Sequence, residues 1–500
     1  MAGLGVRRRT ARGSGDSAPV LFGSLPGPRP RRWSTPGRVR AGAASAVLLA
    51  GCLCALLALV SGRLSGEFGS VGQRDAPQVN AATGLYFALN DMDAQVANLL
   101  LTGGDTALAA DRAQDLASYA SDRAEADQDL QQATVSEAGD PAALGELRTV
   151  LDRLGQYETL AADALLTDQS AAAASPARGD GTAGRAPAAA VGYYQRAADL
   201  MQAGILPSVN SLTAVSSGEL DHAYQAGLGT AETGKAAVAG AGALLAAVLV
   251  ALQVFLARRY RRIINPALAA ATVLAVAFTA VAAVRLDAAS SDLTVAKHDA
   301  FDSILALTQA RAVSYDANAD ESRYLVDPGR AAQYQQAFLS ASQRLAAVGS
   351  ASIASYDGAL AADINAYTGD SSDVRFGGYL GAEFRNITFP GERAAAVATL
   401  LAYQRYERDD RTLRALAGHS LTAAVAYDVG TAPGQSDWAF NQYSAALASV
   451  TAINERAFGT ALQAGQAAAG GWEPGLPAAG GVLLAALTLA GVRRRLAEYR

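Results

Sequence analysis

Residues 236–256 read AAVAGAGALLAAVLVALQVFL, an uncharged stretch that is followed directly by ARRYRR at 257–262. A second uncharged stretch, PALAAATVLAVAFTAVAAV, begins only a few residues later and occupies 266–284. An α-helix rises 1.5 Å per residue, so each stretch is long enough to cross the hydrocarbon core of a bilayer. Together they predict a transmembrane hairpin with an arginine-rich turn.

The same combination of an apolar span and flanking arginines occurs near both ends of the chain, at Ala41–Val60 and Leu476–Val492. Arginines in short segments beside span ends are retained in the cytoplasm, which predicts that both termini and the hairpin are inside. In chain order, the prediction is a disordered Arg- and Pro-rich cytosolic tail (1–40), the first span (41–60), the first outer block (61–235), the second span (236–256), a cytosolic hairpin (257–265), the third span (266–284), the second outer block (285–475), the fourth span (476–492) and a cytosolic tail (493–500).

The distribution of charge agrees with this topology. Of the 41 basic and 46 acidic residues, 17 and 2 lie in the cytosolic segments, which leaves 24 and 44 in the outer blocks. The formal net charge of −5 therefore conceals a basic inside and an acidic outside. The abundance of Arg and Ala is typical of a GC-rich bacterial genome, so we expect a multi-pass protein of a bacterial cell membrane.

Both cysteines, Cys52 and Cys54, lie in the first span, so the outer blocks contain no disulfide and depend on packed cores. Leu49-Ala50-Gly51-Cys52 also resembles the lipidation signal of bacterial lipoproteins. An uncleaved anchor is the favoured interpretation, because residues 53–60 remain apolar where a lipoprotein usually turns polar.

The spacing of apolar residues in the first outer block predicts helices. Leu85, Leu89, Met92, Val96 and Leu99 follow steps of four and three, which form one stripe on a helix. Asp105 is a predicted N-cap, Pro141 a predicted helix start, and residues 170–187 a flexible linker rich in Ala, Gly, Ser and Pro. The prediction is an antiparallel four-helix bundle.

The second outer block repeats this plan, so we predict an all-α membrane protein with two extracytoplasmic four-helix bundles that arose by tandem duplication. Gln-Ala-Gly recurs at 225–227 and 463–465, each time shortly before a span. One segment differs, because residues 350–391 carry scattered aromatic residues and turns. This excursion is predicted to be irregular and to form a docking lid.

No catalytic, cofactor or metal site is predicted. Gly229–Lys235 resembles a phosphate-binding loop, but it lacks a preceding strand and the Ser or Thr that should follow the lysine. His222, His298 and His419 do not have the spacing of a helical metal site. The spans carry no ionisable residue, which argues against a carrier or pump. Asp91 and Asp93 are interpreted as a solvated surface or a contact with a neighbouring bundle.

The richest outer segment is DANADESRYL at 316–325. Asp316, Asp320 and Arg323 share one helix face, which is either a solvated ion-pair ladder or a face that binds a ligand or partner. The predicted partner or ligand face comprises Asp316, Asp320, Arg323, Tyr324, Arg385, Glu392 and Arg393. The basic residues predicted to dock a cytosolic protein, or only to contact anionic lipids, are Arg258, Arg259, Arg261, Arg262, Arg493, Arg494 and Arg495.

Three segments resemble the actinobacterial four-span membrane proteins of the GlnX type: LYFALNDMDAQVANLLLTG at 85–103, DANADESRYL at 316–325 and NITFPGER at 386–393. The resemblance implies a relay from a glutamate/aspartate-binding lipoprotein to cytosolic protein kinase G. This chain departs from the family in its long N-terminal tail and its 170–187 linker. No ligand-binding residue is carried over from it.

The leading hypothesis is a non-enzymatic transmembrane sensor or adaptor. It would relay an extracytoplasmic signal, from an amino-acid-loaded binding lipoprotein, to a cytosolic Ser/Thr kinase. The alternatives are an envelope scaffold that uses its bundles for constitutive contacts, and a chemoreceptor-like protein that binds a small molecule directly. Only the last alternative predicts a polar cavity within one bundle.

Overall fold

The computed structural model describes residues 35–136, 141–174, 182–260, 265–470 and 475–496, and within these ranges every regular element is a helix. The α-helices are α1 (Thr35–Ser70), α2 (Ala76–Thr102), α3 (Ala109–Ser136), α4 (Pro141–Ala174), α5 (Ala188–Leu200), α6 (Leu206–Tyr260), α7 (Pro266–Thr294), α8 (Asp302–Val326), α9 (Ala331–Leu345), α10 (Tyr356–Gly369), α11 (Gly378–Asn386), α12 (Glu392–Ala417), α13 (Leu421–Asp428), α14 (Ser436–Gly470) and α15 (Gly475–Leu496). One π-helical turn each joins α1 to α2 (Val71–Asp75), α5 to α6 (Met201–Ile205) and α7 to α8 (Val295–Phe301).

The four predicted spans are confirmed, and each belongs to a much longer helical stretch. Stretches that are long and apolar enough to cross a membrane have the bounds Pro36–Thr102, Ala188–Arg258, Pro266–Val326 and Ser436–Arg493, the last enclosing the undescribed residues 471–474. Large apolar side chains are exposed on all four spans: Leu48, Val273 and Val482 are each 69% exposed, and Leu244 is 53% exposed. Such a belt is costly in water and stable in lipid, so the fold is that of an all-α membrane protein.

Small residues allow the spans to pack closely. A Cβ atom added at Gly242 would lie 2.1 Å from Thr279 Oγ1, and one added at Gly481 would lie 2.9 Å from Cys54 Sγ. By contrast, Gly240 has open space beside it. A glycine in a span therefore cannot be replaced by a larger residue only where a neighbouring helix packs directly against it.

The first outer block departs from its prediction in one segment. Helix α4 continues to Ala174, so the predicted linker 170–187 begins as helix, and residues 175–181 lie outside the described residues. Ala183 is buried, and Gly184 packs against Leu421 and Val425 of the second block. Tertiary contacts thus order the end of a segment whose composition indicated flexibility. The Asp105 cap is confirmed, because its side chain accepts a hydrogen bond from Ala107 N.

The N-terminal tail is described only from residue 35, where α1 already begins. Residues 1–34 of the predicted tail, the hairpin residues 261–264 and the C-terminal residues 497–500 lie outside the described residues. The disorder predicted for residues 1–40 is therefore wrong for 35–40, which are helical.

The prediction that residues 350–391 are irregular is wrong. This excursion contains the two helices α10 and α11, and its aromatic residues Tyr356, Tyr367, Phe376 and Phe384 are buried in one core. Tyr367 and Phe384 pack edge to face with ring centroids 4.8 Å apart. Short helices with few apolar residues show no clear helical periodicity of apolar residues in the sequence. Burial of these rings, rather than the local sequence, therefore stabilises α10 and α11.

Two features of the structure recur in both halves of the chain. The π-helical turns begin at equivalent positions, in Val71-Gly-Gln-Arg-Asp-Ala76 and Val295-Ala-Lys-His-Asp-Ala300, which share Val, Asp and Ala. The Gln-Ala-Gly glycines make reciprocal contacts. A Cβ at Gly227 would lie 2.6 Å from Leu293 Cδ2, and one at Gly465 would lie 2.2 Å from Phe68 Cε1. Each half therefore packs its last long helix on the first helix of the other half, as in a two-fold interface.

The outer blocks pack on each other and share one hydrophobic core. The core of the first block includes Leu325, Val326, Leu413, Val425 and Val429 from the second block. Helices α2 and α8, which continue the first and third spans, lie against each other at this contact. A rearrangement between the two outer blocks therefore acts directly on helices that enter the membrane.

Candidate functional site

A buried ion cluster joins the two outer blocks at the contact between α2 and α8. Arg323 of α8 is 2% exposed, and its Nη2 lies 2.5 Å from Oδ2 of Asp93 in α2. Its Nη1 donates to Oδ1 of Asp320 at 2.7 Å and to Oδ1 of Asp316 at 3.3 Å. One guanidinium therefore holds carboxylates from both halves of the chain.

Two tyrosines of the first block complete the hydrogen bonds of Asp93. Tyr157 of α4 donates to Oδ1 at 3.1 Å, and Tyr194 of α5 donates to Oδ2 at 3.5 Å. Burial raises the pKa of Asp320 to about 7, although the charge of Arg323 acts in the opposite direction. The pKa of Arg323 is raised, because the carboxylates of Asp93, Asp320 and Asp316 outweigh the effect of its burial. Arg323, Asp93, Asp320 and Asp316 thus form a buried ion cluster, which we call the joint. Removal of one of these charges leaves the others without a compensating charge.

Further polar contacts surround this joint. Ser322 Oγ donates to Asn98 Oδ1 at 2.6 Å, and Gln202 Nε2 donates to Asp316 Oδ1 at 3.0 Å. At the outer end of the interface, Arg330 Nη1 lies 2.7 Å from Asp199 Oδ1. The contact between the halves therefore combines these polar pairs with the shared hydrophobic core.

The structure changes the interpretation of the face formed by Asp316, Asp320 and Arg323. It is not a solvated ion-pair ladder, because Arg323 and Asp320 are 2% and 3% exposed. The first block of the same chain covers this face. Asp93 is fully buried and Asp91 is 9% exposed, so the solvated-surface interpretation of these two residues is wrong and the contact interpretation is correct. The binding of an external ligand or partner by this face stays a prediction.

The other residues of the predicted face are not gathered with Arg323. Tyr324 lies under the guanidinium of Arg414, 4.7 Å from ring centroid to Cζ, within the second block. Arg385 donates to the carbonyl of Phe376, and Arg393 donates to the hydroxyl of Tyr367. Glu392 is fully buried and accepts hydrogen bonds from the backbone amides of Thr388 and Phe389. In this structure these contacts hold the excursion in place.

The arginines predicted to dock a cytosolic protein are described only in part. Arg258 and Arg493 are exposed at the ends of α6 and α15. Arg261 and Arg262 lie outside the described residues, and the side chains of Arg259, Arg494 and Arg495 are not described. Their docking role stays a prediction.

Beside the ion cluster, a polar cavity of about 190 Å³ lies between the two outer blocks. Its walls come from α2 and α3 of the first block and from α8, α14 and the segment before α14 in the second. The polar and aromatic side chains that line it are Asp91, Gln95, Asn98, Asp111, Gln114, Asp115, Ser118, Tyr315, Asn318, Thr431, Asp437, Phe440 and Asn441. None of these described lining residues is basic, so the cavity is acidic.

The carboxyl groups of this cavity have raised pKa values. Burial, followed by the charges of Asp437 and Asp111, raises the pKa of Asp115 to about 8. Burial raises the pKa of Asp437 to about 7 and that of Asp91 to about 6. Next to the cavity, burial and the carboxylate of Asp91 raise the pKa of Asp122 to about 8. Near neutral pH, Asp115 and Asp122 are therefore largely protonated.

Sequence reasoning missed Asp115, Asp122 and Asp437 as members of a site. The available signal was weak: Asp115 and Asp122 are seven residues apart, so they lie on one face of α3, and both face the interior. A charged helix such as α3 ordinarily turns carboxylates to solvent. Only the packing of α3 against α2 shows that this pair lies on the inner face.

The chain has four membrane-crossing helical stretches that continue into two packed outer halves. A polar cavity lies at the junction of these halves. This arrangement is that of a helical membrane protein suited to signal reception. Residues 67–225 match a protein-family model described as "Actinobacterial sensor domain". The matched segment runs from the end of α1 through the first outer block into α6 and supports an actinobacterial sensor protein. The chain matches no curated protein and no solved structure.

Proposed function

We propose that this protein is a transmembrane sensor in which an extracytoplasmic signal changes the contact between the two outer blocks. The changed contact alters the packing of the four spans, and a separate cytosolic protein recognises the result. The match to a sensor domain over residues 67–225 supports the sensory role. The orientation, with both termini in the cytoplasm, rests on the arginines beside the span ends.

The observation that carries the proposal is the position of the buried joint between Arg323 and Asp93. These residues lie on α8 and α2, which continue the third and first spans through single π-helical turns. π-helical turns inside long helices frequently mark functional sites, and here they occur at equivalent places in the two halves. A shift of one outer block relative to the other therefore tilts or slides two spans against each other.

The partners are proposals that the resemblance to GlnX-type proteins supports. A solute-binding lipoprotein loaded with glutamate or aspartate would deliver the signal outside, and protein kinase G or a related Ser/Thr kinase would receive it inside. Arg258 and Arg493 are exposed at the cytosolic ends of α6 and α15 and offer a basic surface to such a protein. No step of the proposed relay requires this chain to catalyse a reaction.

The coupling is tested by measuring a distance on one side of the membrane after a change on the other. Spin labels are placed at positions 258 and 493 in full-length protein in lipid nanodiscs, with Cys52 and Cys54 replaced by Ala. We expect Asp93→Asn, which weakens the joint between the outer blocks, to change the distance distribution between the labels. The matched control is Asp127→Asn, which removes the same charge from an exposed position on α3.

Identical distributions in the native and Asp93→Asn proteins, with both proteins folded, would contradict a relay. A crosslinking pull-down from native cells, with and without added glutamate, then examines the partners. Recovery of a binding lipoprotein and a kinase with amino-acid-dependent yield is the expected result. Recovery of only envelope-assembly proteins at constant yield would favour the scaffold alternative.

A further inference from the structure

Two buried hydrogen-bond acceptors in the cavity between the outer blocks have no donor. Asp115 is 7% exposed and lines the cavity, and its Oδ2 has no hydrogen-bond partner among the described residues. Gln95 also lines the cavity; its Nε2 donates to Asp91 Oδ1 at 3.0 Å, and its buried Oε1 has no partner there. Buried polar atoms without hydrogen-bond partners cost free energy, so a molecule that donates to the ionised Asp115 and to Gln95 would stabilise this cavity.

The lining also favours a positively charged molecule. Asp91, Asp111, Asp115 and Asp437 contribute four carboxyl groups from three helices, and the described lining contains no Lys, Arg or His. The nearest arginines, Arg311 and Arg112, do not line the cavity, although their charges partly offset the effect of burial on the pKa of Asp91 and Asp115. The Arg311 guanidinium stacks on the Phe87 ring at 3.7 Å, and Arg112 donates to the carbonyl of Leu99 at 2.5 Å.

Aromatic rings on the second block give the cavity a further property of cation sites. Tyr315 and Phe440 both line it, in an edge-to-face pair with ring centroids 4.7 Å apart. The faces of aromatic rings attract organic ammonium groups, and they do so most strongly where water is excluded. Carboxylates combined with aromatic rings thus favour an alkylammonium group with apolar carbons over a fully hydrated inorganic ion.

We propose that the acidic cavity between the outer blocks binds a small organic ammonium compound. This inference deepens the proposed sensor function, because such a ligand would contact α2, α3, α8 and α14 together and stabilise one arrangement of the two halves. The volume of about 190 Å³ is below the roughly 300–1,000 Å³ of pockets for drug-sized ligands, which restricts the occupant to a small molecule.

Other ligand classes fit the lining less well. The described residues include no group of three or more His, Cys, Asp or Glu side chains arranged to hold a metal ion. Free glutamate or aspartate would bring net negative charge to a cavity that already contains four carboxyl groups. An acidic amino acid therefore acts on this protein, if at all, at another surface or through a binding protein.

Proton release couples ligand binding to pH. The groups that face Asp115 are Asp437 from α14, Asp91 from α2, and Asp111 and Arg112 from its own helix, and three of these four are acidic. With its pKa at about 8, Asp115 is protonated at about pH 6 and mostly ionised at about pH 8.5. A cation that replaces this proton binds more tightly at the higher pH, by about tenfold or more.

The test is isothermal titration of the full-length protein in lipid nanodiscs with putrescine, at about pH 6 and about pH 8.5. We expect putrescine to bind and to bind more tightly at the higher pH. Asp115→Asn keeps the shape of the side chain and removes its charge, so it should weaken binding by about tenfold or more. Asp127→Asn, an exposed change on the same helix, should leave the affinity unchanged.

The assignment would be overturned if putrescine did not bind at either pH, or if it bound the native and Asp115→Asn proteins with equal affinity. It would also be overturned if calcium bound instead of putrescine and Asp115→Asn abolished the calcium binding. The distance measurement between positions 258 and 493 separates this inference from the proposed function. If putrescine does not bind but Asp93→Asn still changes that distance, the ligand class is wrong and the sensor function stands.

Discussion

The Arg323 guanidinium lies 2.5 Å from the carboxylate of Asp93, a residue that precedes it by 230 positions in the chain. Both side chains are almost completely buried, and they belong to helices that continue into two different spans. The pair is thus a fully buried ionic contact between the two halves. Its energetics decide how firmly the halves are held together.

Replacement of Arg323 by Met should destabilise the protein strongly. The change leaves the carboxylates of Asp93, Asp320 and Asp316 close together without their common cation, at an expected cost of about 3–5 kcal/mol. Asp93→Asn should cost less, about 1–3 kcal/mol, because Arg323 keeps two carboxylate partners.

Thermal unfolding of the detergent-solubilised protein measures the loss of stability in both variants. Arg123→Ala is the control, since it breaks the exposed pair with Glu158 and should change stability by about 0–1 kcal/mol. Equal losses from Arg323→Met and Arg123→Ala would show that the buried cluster does not hold the halves together.

Stability should fall as the pH rises from about 6 to about 8.5. Burial raises the pKa of Asp115, Asp122 and Glu407 to about 8 and that of Asp437 to about 7, whereas an unfolded Asp or Glu titrates near about 4. Between these values the folded protein binds more protons than the unfolded chain, so the contribution is present at low pH and is lost as the pH rises through the folded pKa values. A Tm that is lower at about pH 8.5 than at about pH 6 is the expected result.

Asp115→Asn should flatten that pH dependence, because it removes one of the groups responsible. Asp127→Asn should leave the slope as it is in the native protein, since Asp127 is exposed. A Tm that rises steadily with pH over this interval would contradict the raised pKa values.

Asn386→Ala should loosen the π-helical turn at Val295–Phe301. The Asn386 side chain donates to the carbonyls of His298 and Asp299 at 2.8 and 3.1 Å, and lies 3.0 Å from Ser303 Oγ. It therefore donates hydrogen bonds to carbonyl groups at the place where the π-helical turn interrupts the regular α-helical hydrogen bonds. Hydrogen–deuterium exchange should become faster at 295–303 in the variant. The equivalent turn at Val71–Asp75 is an internal control that should not change, and equal acceleration of both turns would indicate general destabilisation instead.

Gly465→Val should disrupt the crossing of α14 and α1. A Cβ at this position would lie 2.2 Å from the Phe68 ring, so the two helices must separate, at an expected cost of about 1–3 kcal/mol or more. Gly459→Val on the same helix is the matched control, because no atom would lie within 4 Å of its added Cβ. Thermal unfolding distinguishes the two variants. The close contact would be unimportant for stability if both variants unfolded at the same temperature.

The apolar spans and the Asp105 cap could be predicted from the sequence because each depends on residues close together in the chain. Hydropathy over a span needs no knowledge of neighbours, since lipid surrounds any sufficiently apolar helix. A cap is likewise satisfied within one helical turn, where the Asp105 side chain accepts from Ala107 N. The apolar stripe of Leu85, Leu89 and Met92 is buried as well, but so is almost every other residue of α2, because the second block covers the side that the stripe leaves free.

The environment of each charged residue was not accessible in this way. Asp316, Asp320 and Arg323 form a face that looks solvated from helical spacing alone, yet the first block covers it. The aromatic residues of 350–391 suggested an irregular segment, but packing against one another turns two parts of that segment into helices. In both cases the deciding partners lie far away in the chain.

The sequence alone therefore determined that this chain is helical and carries four helices long and apolar enough to cross a membrane, because lipid and local periodicity act on each segment separately. The tertiary structure decided that the two outer blocks form one packed unit with a buried ion cluster and an acidic cavity between them. The physical reason is that burial and charge pairing are properties of contacts. Asp93 and Arg323, or Asp115 and Asp437, acquire those contacts only when the two halves meet.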